Sequence, residues 1–150
     1  MTLDALEDWA GALLARLQPT ARRQLLTRLA RDLRRSQQQR IRQQLNPDGG
    51  RYERRKPKPR LRARYGQIKA RMFTRLRLAK HLKANTDDRG LSVGFGGRAG
   101  KIARVHQFGE RDRPAPGQAM AAYPARQLLG LTAAELDHIR AALLQHLSEG

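Results

Sequence analysis

Positive charge is crowded into one stretch of this chain, and that crowding limits where a core can form. About 22 of its 31 Lys and Arg fall between residues 22 and 83, against only Asp32, Asp48 and Glu53. Like charges at that density repel one another and stay solvated, so the stretch has to face water or a polyanion along much of its length. Well-grouped apolar residues lie on either side of it. The spans 91–108 and 128–147 are the expected core. A formal net charge of +18 favours an anionic polymer or an acidic protein surface as neighbour.

Other bounds are quickly set. A length of 150 residues suits one domain with an appendage and suffices for a core without staples. With no cysteine, disulfides, thiolate catalysis and cysteine-based zinc sites are excluded. Asp4, Glu7 and Asp8 stand where a secretory leader would be basic, and no run approaches the ~18 apolar residues that cross a bilayer. The expectation is a soluble protein with no membrane contact.

Leu3, Leu6, Trp9, Ala10, Leu13, Leu14 and Leu17 recur at helical spacing, with Thr2 placed as N-cap. Pro19 breaks that helix and suits the first turn of the next. The second helix is predicted to reach about Leu45, with Leu25, Leu26, Leu29, Leu33 and Ile41 along one side. Its later half, 36–44, has a single large apolar residue and is expected to project toward another subunit, or else to lie solvated. Asn46-Pro47-Asp48-Gly49-Gly50 ends it with turn chemistry.

Residues 51–65, RYERRKPKPRLRARY, read as an extended basic arm whose Tyr52 and Tyr65 are too few for a base-stacking platform. A third helix is predicted over 67–82. A β-hairpin should follow, with Asn85-Thr86-Asp87-Asp88-Arg89-Gly90 as the turn cluster and Leu91, Val93 and Phe95 of the second strand on one face. A short helix is expected over 99–108 with Ile102 and Val105 inward, closed by Gly109. Then come a loop over 110–122 and a last helix opened by the capping box Thr132-Ala133-Ala134-Glu135, with Leu136, Ile139, Leu143, Leu144 and Leu147 inward. Leu129 is assigned to the core.

The glycines of GFGGRAGK invite a phosphate-binding reading that the spacing refuses. Ile102 occupies the place where magnesium would need Ser or Thr, and no parallel βαβ unit surrounds it. The glycines instead suit a sharp strand-to-helix bend. His138 and His146 lie two turns apart without a carboxylate at ligand spacing. His106 sits on an apolar face as a packing residue, and Ser36, Ser92 and Ser148 have no nucleophile motif around them. Nothing in the residues argues for an enzyme, a metal or a cofactor.

The helix Arg28-Leu29-Ala30-Arg31-Asp32-Leu33-Arg34-Arg35-Ser36-Gln37-Gln38-Gln39-Arg40-Ile41, then Asn46-Pro47-Asp48-Gly49 and Arg54-Arg55-Lys56-Pro57, resembles the first half of phage virion morphogenesis proteins. Gly90-Leu91-Ser92-Val93-Gly94-Phe95, Ile102-Ala103-Arg104-Val105-His106-Gln107-Phe108-Gly109 and Tyr123-Pro124-Ala125-Arg126-Gln127-Leu128-Leu129-Gly130-Leu131 resemble the second half. The family is that of the tail completion proteins of contractile-tailed temperate phages, akin to head-tail joining and neck proteins. The sequence departs at Gln127 and Leu128, where joining proteins often carry proline and phenylalanine.

The resemblance implies a structural protein that finishes the tail at its head-proximal end for joining to a filled head. It further implies a homo-oligomeric ring, tail and neck or connector proteins as partners, and non-specific contact with double-stranded DNA in the passage. Its location would be the virion, in tail or neck, after assembly in the host cytoplasm. The fold expected is α+β: an N-terminal helical hairpin (1–45), a basic extended arm (46–66) and an α+β core (67–150) with a small antiparallel sheet, a short helix and a closing C-terminal helix. Partner or DNA contacts are expected on the second helix at Arg31, Arg34, Arg35, Arg40 and Arg42, and on the arm at Arg54, Arg55, Lys56, Lys58, Arg60, Arg62 and Arg64. The competing reading is a basic nucleic-acid-binding protein acting through residues 22–83.

Overall fold

A computed structural model describes residues 2–55 and 71–149. Their architecture is mixed α+β, as expected. Helices α1 (Leu3–Leu14) and α2 (Pro19–Arg42) precede a hairpin of β1 (Leu82–Asp87) and β2 (Gly90–Phe95). Helix α3 (Gly97–Phe108) follows, then a two-residue antiparallel ladder of β3 (Arg111–Asp112) and β4 (Ala121–Ala122), and helix α4 (Ala133–Glu149) closes the chain.

The chain divides into two compact units. The first gathers the described residues of Met1–Ser36, Lys83–Val93 and Leu131–Gly150. Thr2 caps α1 through its hydroxyl, which accepts from the Ala5 N–H at 3.2 Å, and Pro19 opens α2 as the sequence indicated. Leu25, Leu29 and Leu33 of α2 meet Leu6 of α1 and Ile139 and Leu143 of α4 in one buried cluster, with Trp9, Leu14, Leu91, Val93 and Leu136 packed around it. The core assignment is thereby corrected. Leucines of the two N-terminal helices are as central to it as the closing helix, because the leucine stripe of α2 offers the longest continuous apolar face to cover.

Thr132 and Glu135 form the anticipated capping box. The Glu135 N–H donates to Thr132 Oγ1 at 3.1 Å and the Thr132 N–H to Glu135 Oε2 at 2.9 Å. The Ser36 hydroxyl of α2 donates to the other Glu135 oxygen, which explains how a carboxylate tolerates burial there. Leu144, expected inward, is exposed, since α4 turns only its Glu135, Ile139 and Leu143 side fully into the interior.

The second unit comprises the described residues of Gln37–Leu82 and Gly94–Gly130. Here three sequence expectations need correction. The described part of the third predicted helix, from Arg71, is a series of turns. Phe73 takes a left-handed backbone, φ +65°, which ends any helix and aims its ring between Tyr52 and His106 at centroid distances of 5.6 and 4.8 Å. On α3 the inward residues are Ala99 and Ala103, while Ile102 is exposed and Val105 half-buried; small side chains let the helix lie close to its neighbours. Within the predicted loop 110–122 sits the short β3–β4 ladder, pairing Arg111 with Ala122 and Asp112 with Ala121.

The strand-to-helix bend after β2 is where the glycines were expected to act. Gly97 has φ +59° and Gly109, ending α3, has φ +65°. A Cβ on Gly109 would also lie 2.9 Å from the backbone nitrogen of Ala125, so both conformation and space require glycine there.

Candidate interaction surface

Helix α2 sorts its charges by angle. With 3.6 residues per turn, Arg28, Arg31, Arg35 and Arg42 fall on one side, opposite the side that buries Leu26, Leu29, Leu33 and Gln37. All four are exposed, and none is ion-paired with another described residue. The stripe runs about 21 Å along the helix at 1.5 Å per residue. Asp32, the acid of this helix, is turned aside and lies 3.3 Å from His138 Nε2. An unneutralised row of guanidinium groups suits repeated anionic groups on a partner.

Of the residues assigned to partner contact from sequence, Arg31, Arg35 and Arg42 lie on this stripe, and Arg54 and Arg55 are exposed beyond it in the chain. Arg34 is half-buried at its flank, with a buried Nη1 that has no hydrogen-bond partner among the described residues. Lys56, Lys58, Arg60, Arg62 and Arg64 lie outside the described residues. Arg28 belongs to the stripe and was not singled out, although its spacing of three and seven from Arg31 and Arg35 was there to be read.

Arg40 is the correction with most consequence. It is buried, and it grips backbone rather than a partner. Nη1 donates to Leu45 O at 2.9 Å and Gln127 O at 3.0 Å, and Nη2 donates to Leu128 O at 2.7 Å and to Gln37 Oε1. Gln37, likewise inward, donates to Gly130 O at 2.8 Å. From α3, Gln107 donates to Leu129 O at 2.8 Å and accepts from the Leu128 and Leu129 N–H groups at 2.8 and 2.9 Å. The later half of α2 therefore does not project as a bare helix. Its polar residues hold the irregular segment 127–130, whose backbone groups have no ladder to satisfy them.

Residues 52–54 are fixed within the same unit. Tyr52 is buried, and its hydroxyl donates to Gln127 O at 2.9 Å. Burial holds that hydroxyl above its ordinary range, against the opposing pull of Arg40, so it remains a neutral donor. Arg126 donates from Nε to Glu53 O at 2.7 Å and from Nη2 to Arg54 O at 3.3 Å. The backbone at 53–54 is thus held down while the side chains of Arg54 and Arg55 stay in solvent.

His106 occupies the other side of this cluster, its ring packed edge-on between Phe73 and Tyr123. Burial first, then the positive charges of Arg126 and Arg55, lower its pKa to about 4. The folded value lies below the ordinary 6.5, so the unfolded chain binds the proton first. Stability gained from a neutral His106 is complete above about pH 6.5 and is lost as pH falls toward 4. Denaturation midpoints should fall across that window, and His106→Gln should flatten that part of the profile. An unchanged slope in the variant would show that His106 does not titrate with unfolding.

Among the described residues, no group of three or more His, Cys, Asp or Glu is placed to hold a metal ion, and no helix is long and apolar enough to cross a membrane. The surface offers cations along α2 and at Arg54 and Arg55, an arrangement for docking. Over residues 1–148 the sequence matches the phage virion morphogenesis family, and the chain belongs to that family. It is similar to tail completion protein S of Escherichia phage P2, with 36% identity over 143 residues covering 94% of each chain. No solved structure matches it.

Proposed function

We propose that this chain is a structural, non-catalytic subunit that completes a phage tail at its head-proximal end and so lets the tail join a filled head. The observation that carries the reading is the similarity to a tail completion protein along almost the full length of both chains. In this reading the protein resides in the virion, at the tail or neck, after assembly in the host cytoplasm. It works as a ring of identical subunits whose partners are tail and neck proteins. The guanidinium stripe of α2 and the exposed Arg54 and Arg55 supply cations for an acidic protein surface or, without sequence preference, for duplex DNA in the passage.

The test is a phage with an amber codon in this gene, viewed by electron microscopy. It should yield separate tails and filled heads, and wild-type protein supplied in trans should restore joined particles. Normal infectious particles from the amber phage would overturn the proposal.

The stripe on α2 also supports the second reading, a nucleic-acid-binding protein. That reading requires affinity for duplex DNA that falls steeply with salt, by roughly one decade per decade of salt for each phosphate neutralised. Tight, sequence-selective binding at physiological salt would favour it over joining.

A further inference from the structure

The chain carries only 13 acids against 31 Lys and Arg, yet one helix has no cation at all. Helix α1 bears Asp4, Glu7 and Asp8, all exposed and none ion-paired with another described residue. By helical angle Asp4, Glu7 and Asp8 share one side, and Leu3, which is 47% exposed, lies at its edge beside Glu7. Helix α3 is the inverse. It bears Arg98, Lys101 and Arg104 and no acid, and on the same side leaves Phe108 67% and Ile102 49% exposed. Arg104 lies over the Phe108 ring, 5.7 Å from its centroid, and bonds Glu110 at 3.0 Å. Arg98 and Lys101 have no such partner among the described residues. Both helices are 12 residues long.

We propose that copies of this chain associate head to tail, the acidic outer face of α1 on one copy docking on the basic, apolar outer face of α3 on the next. The inference deepens the ring reading above and rests on it. Pairing like helices, α3 against α3 or α1 against α1, would set like charges face to face, which opposes it. Pairing α1 with α3 matches charge and covers Phe108 and Ile102; made reciprocally between two copies it would close a pair, and made head to tail it generates a ring or an open filament, the arrangement that the ring reading requires. A phosphate backbone would use the cations of α3 and leave two large apolar side chains wet, which is why a second copy is the better occupant.

The experiment is sedimentation of the full chain and of charge-reversed variants, with circular dichroism to establish folding. Glu7→Lys with Asp8→Lys alters α1 outside its first turn, and Arg98→Glu with Lys101→Glu alters α3 without touching the Arg104–Glu110 pair. The wild type should assemble, and each variant alone should dissociate at concentrations about tenfold or more above the wild-type midpoint. An equimolar mixture of the two variants should reassemble, because each then meets a complementary face. Phe108→Ala, at an exposed site, should weaken assembly without a change in helix content.

Assembly of both variants like the wild type, or failure of the mixture to recover, would overturn this interface and leave the ring reading standing. A wild type that stays monomeric, with the α3 variant losing retention of duplex DNA in a gel shift, would overturn both and assign the face to a polyanion.

Discussion

Replacing Arg40 with methionine should lower the free energy of unfolding by about 2–5 kcal/mol. Methionine fills comparable apolar volume but donates nothing. Gln127 O would keep the Tyr52 hydroxyl, and Gln37 Oε1 would keep the Gly130 N–H at 3.3 Å. Leu45 O and Leu128 O would lose their guanidinium donor with no other described residue in place, at about 1–3 kcal/mol each. Removing a desolvated charge offsets part of that loss, since Arg40 is buried without a carboxylate beside it and its Nε has no partner among the described residues.

Arg40→Lys should recover only part of the stability. An ammonium is a point donor, whereas the fork of Arg40 reaches Leu45 and Gln127 from one nitrogen and Leu128 from the other. Urea denaturation with an unchanged slope would measure both effects. A shift smaller than about 1 kcal/mol would mean that water replaces the guanidinium, and the grip on 127–130 would not be what orders that segment.

Leu128→Ala is the second large effect, about 2–5 kcal/mol. Leu128 has 0% exposure, and its backbone is held on both sides, by Gln107 at the N–H and by Arg40 at the carbonyl. A segment pinned in that way cannot collapse into the cavity, so the cost should fall toward the upper part of the range. Leu129, half-buried, should cost clearly less when truncated in the same way. Equal losses at the two positions would reverse that assignment. The contrast matters because Leu129 is the residue that sequence alone points to. Alternation and apolarity cannot separate two adjacent leucines in an irregular segment, where neither a helical nor a strand period applies.

The same limit runs through the interaction surface. Arg31, Arg35, Arg40 and Arg42 are indistinguishable as letters, and all are in a helix that the leucine pattern makes plain. Angle alone sets Arg40 apart from the other three. It falls on the inward side with Gln37 and Ile41, and the helix phase needed to see this was legible from Leu25, Leu29 and Leu33. What was not legible is why burial of an arginine is tolerated. That depends on Leu45, Gln127 and Leu128, whose carbonyls come from two loops, the latter separated from Arg40 by 87 and 88 residues in the chain.

The third predicted helix failed where it could be compared for a related reason. Local apolar spacing from Met72 to Leu76 is helix-like, and the positive φ of Phe73 overrides it for the sake of its packing between Tyr52 and His106. Its own spacing gave no sign of that partner.

The sequence by itself determined the elements whose signals are local: the Thr2 cap, the break at Pro19, a hairpin turn within Asn85 to Gly90, the glycines bounding α3, and the box joining Thr132 to Glu135. Each depends on backbone dihedrals or on hydrogen bonds between residues at most a few positions apart, so neighbouring letters suffice. Only the tertiary structure decided which leucine of 128 and 129 is buried, and that Arg40 holds the irregular segment instead of a partner. Those outcomes depend on groups brought together from distant parts of the chain, where desolvation and hydrogen bonding, not sequence spacing, select the inward residue.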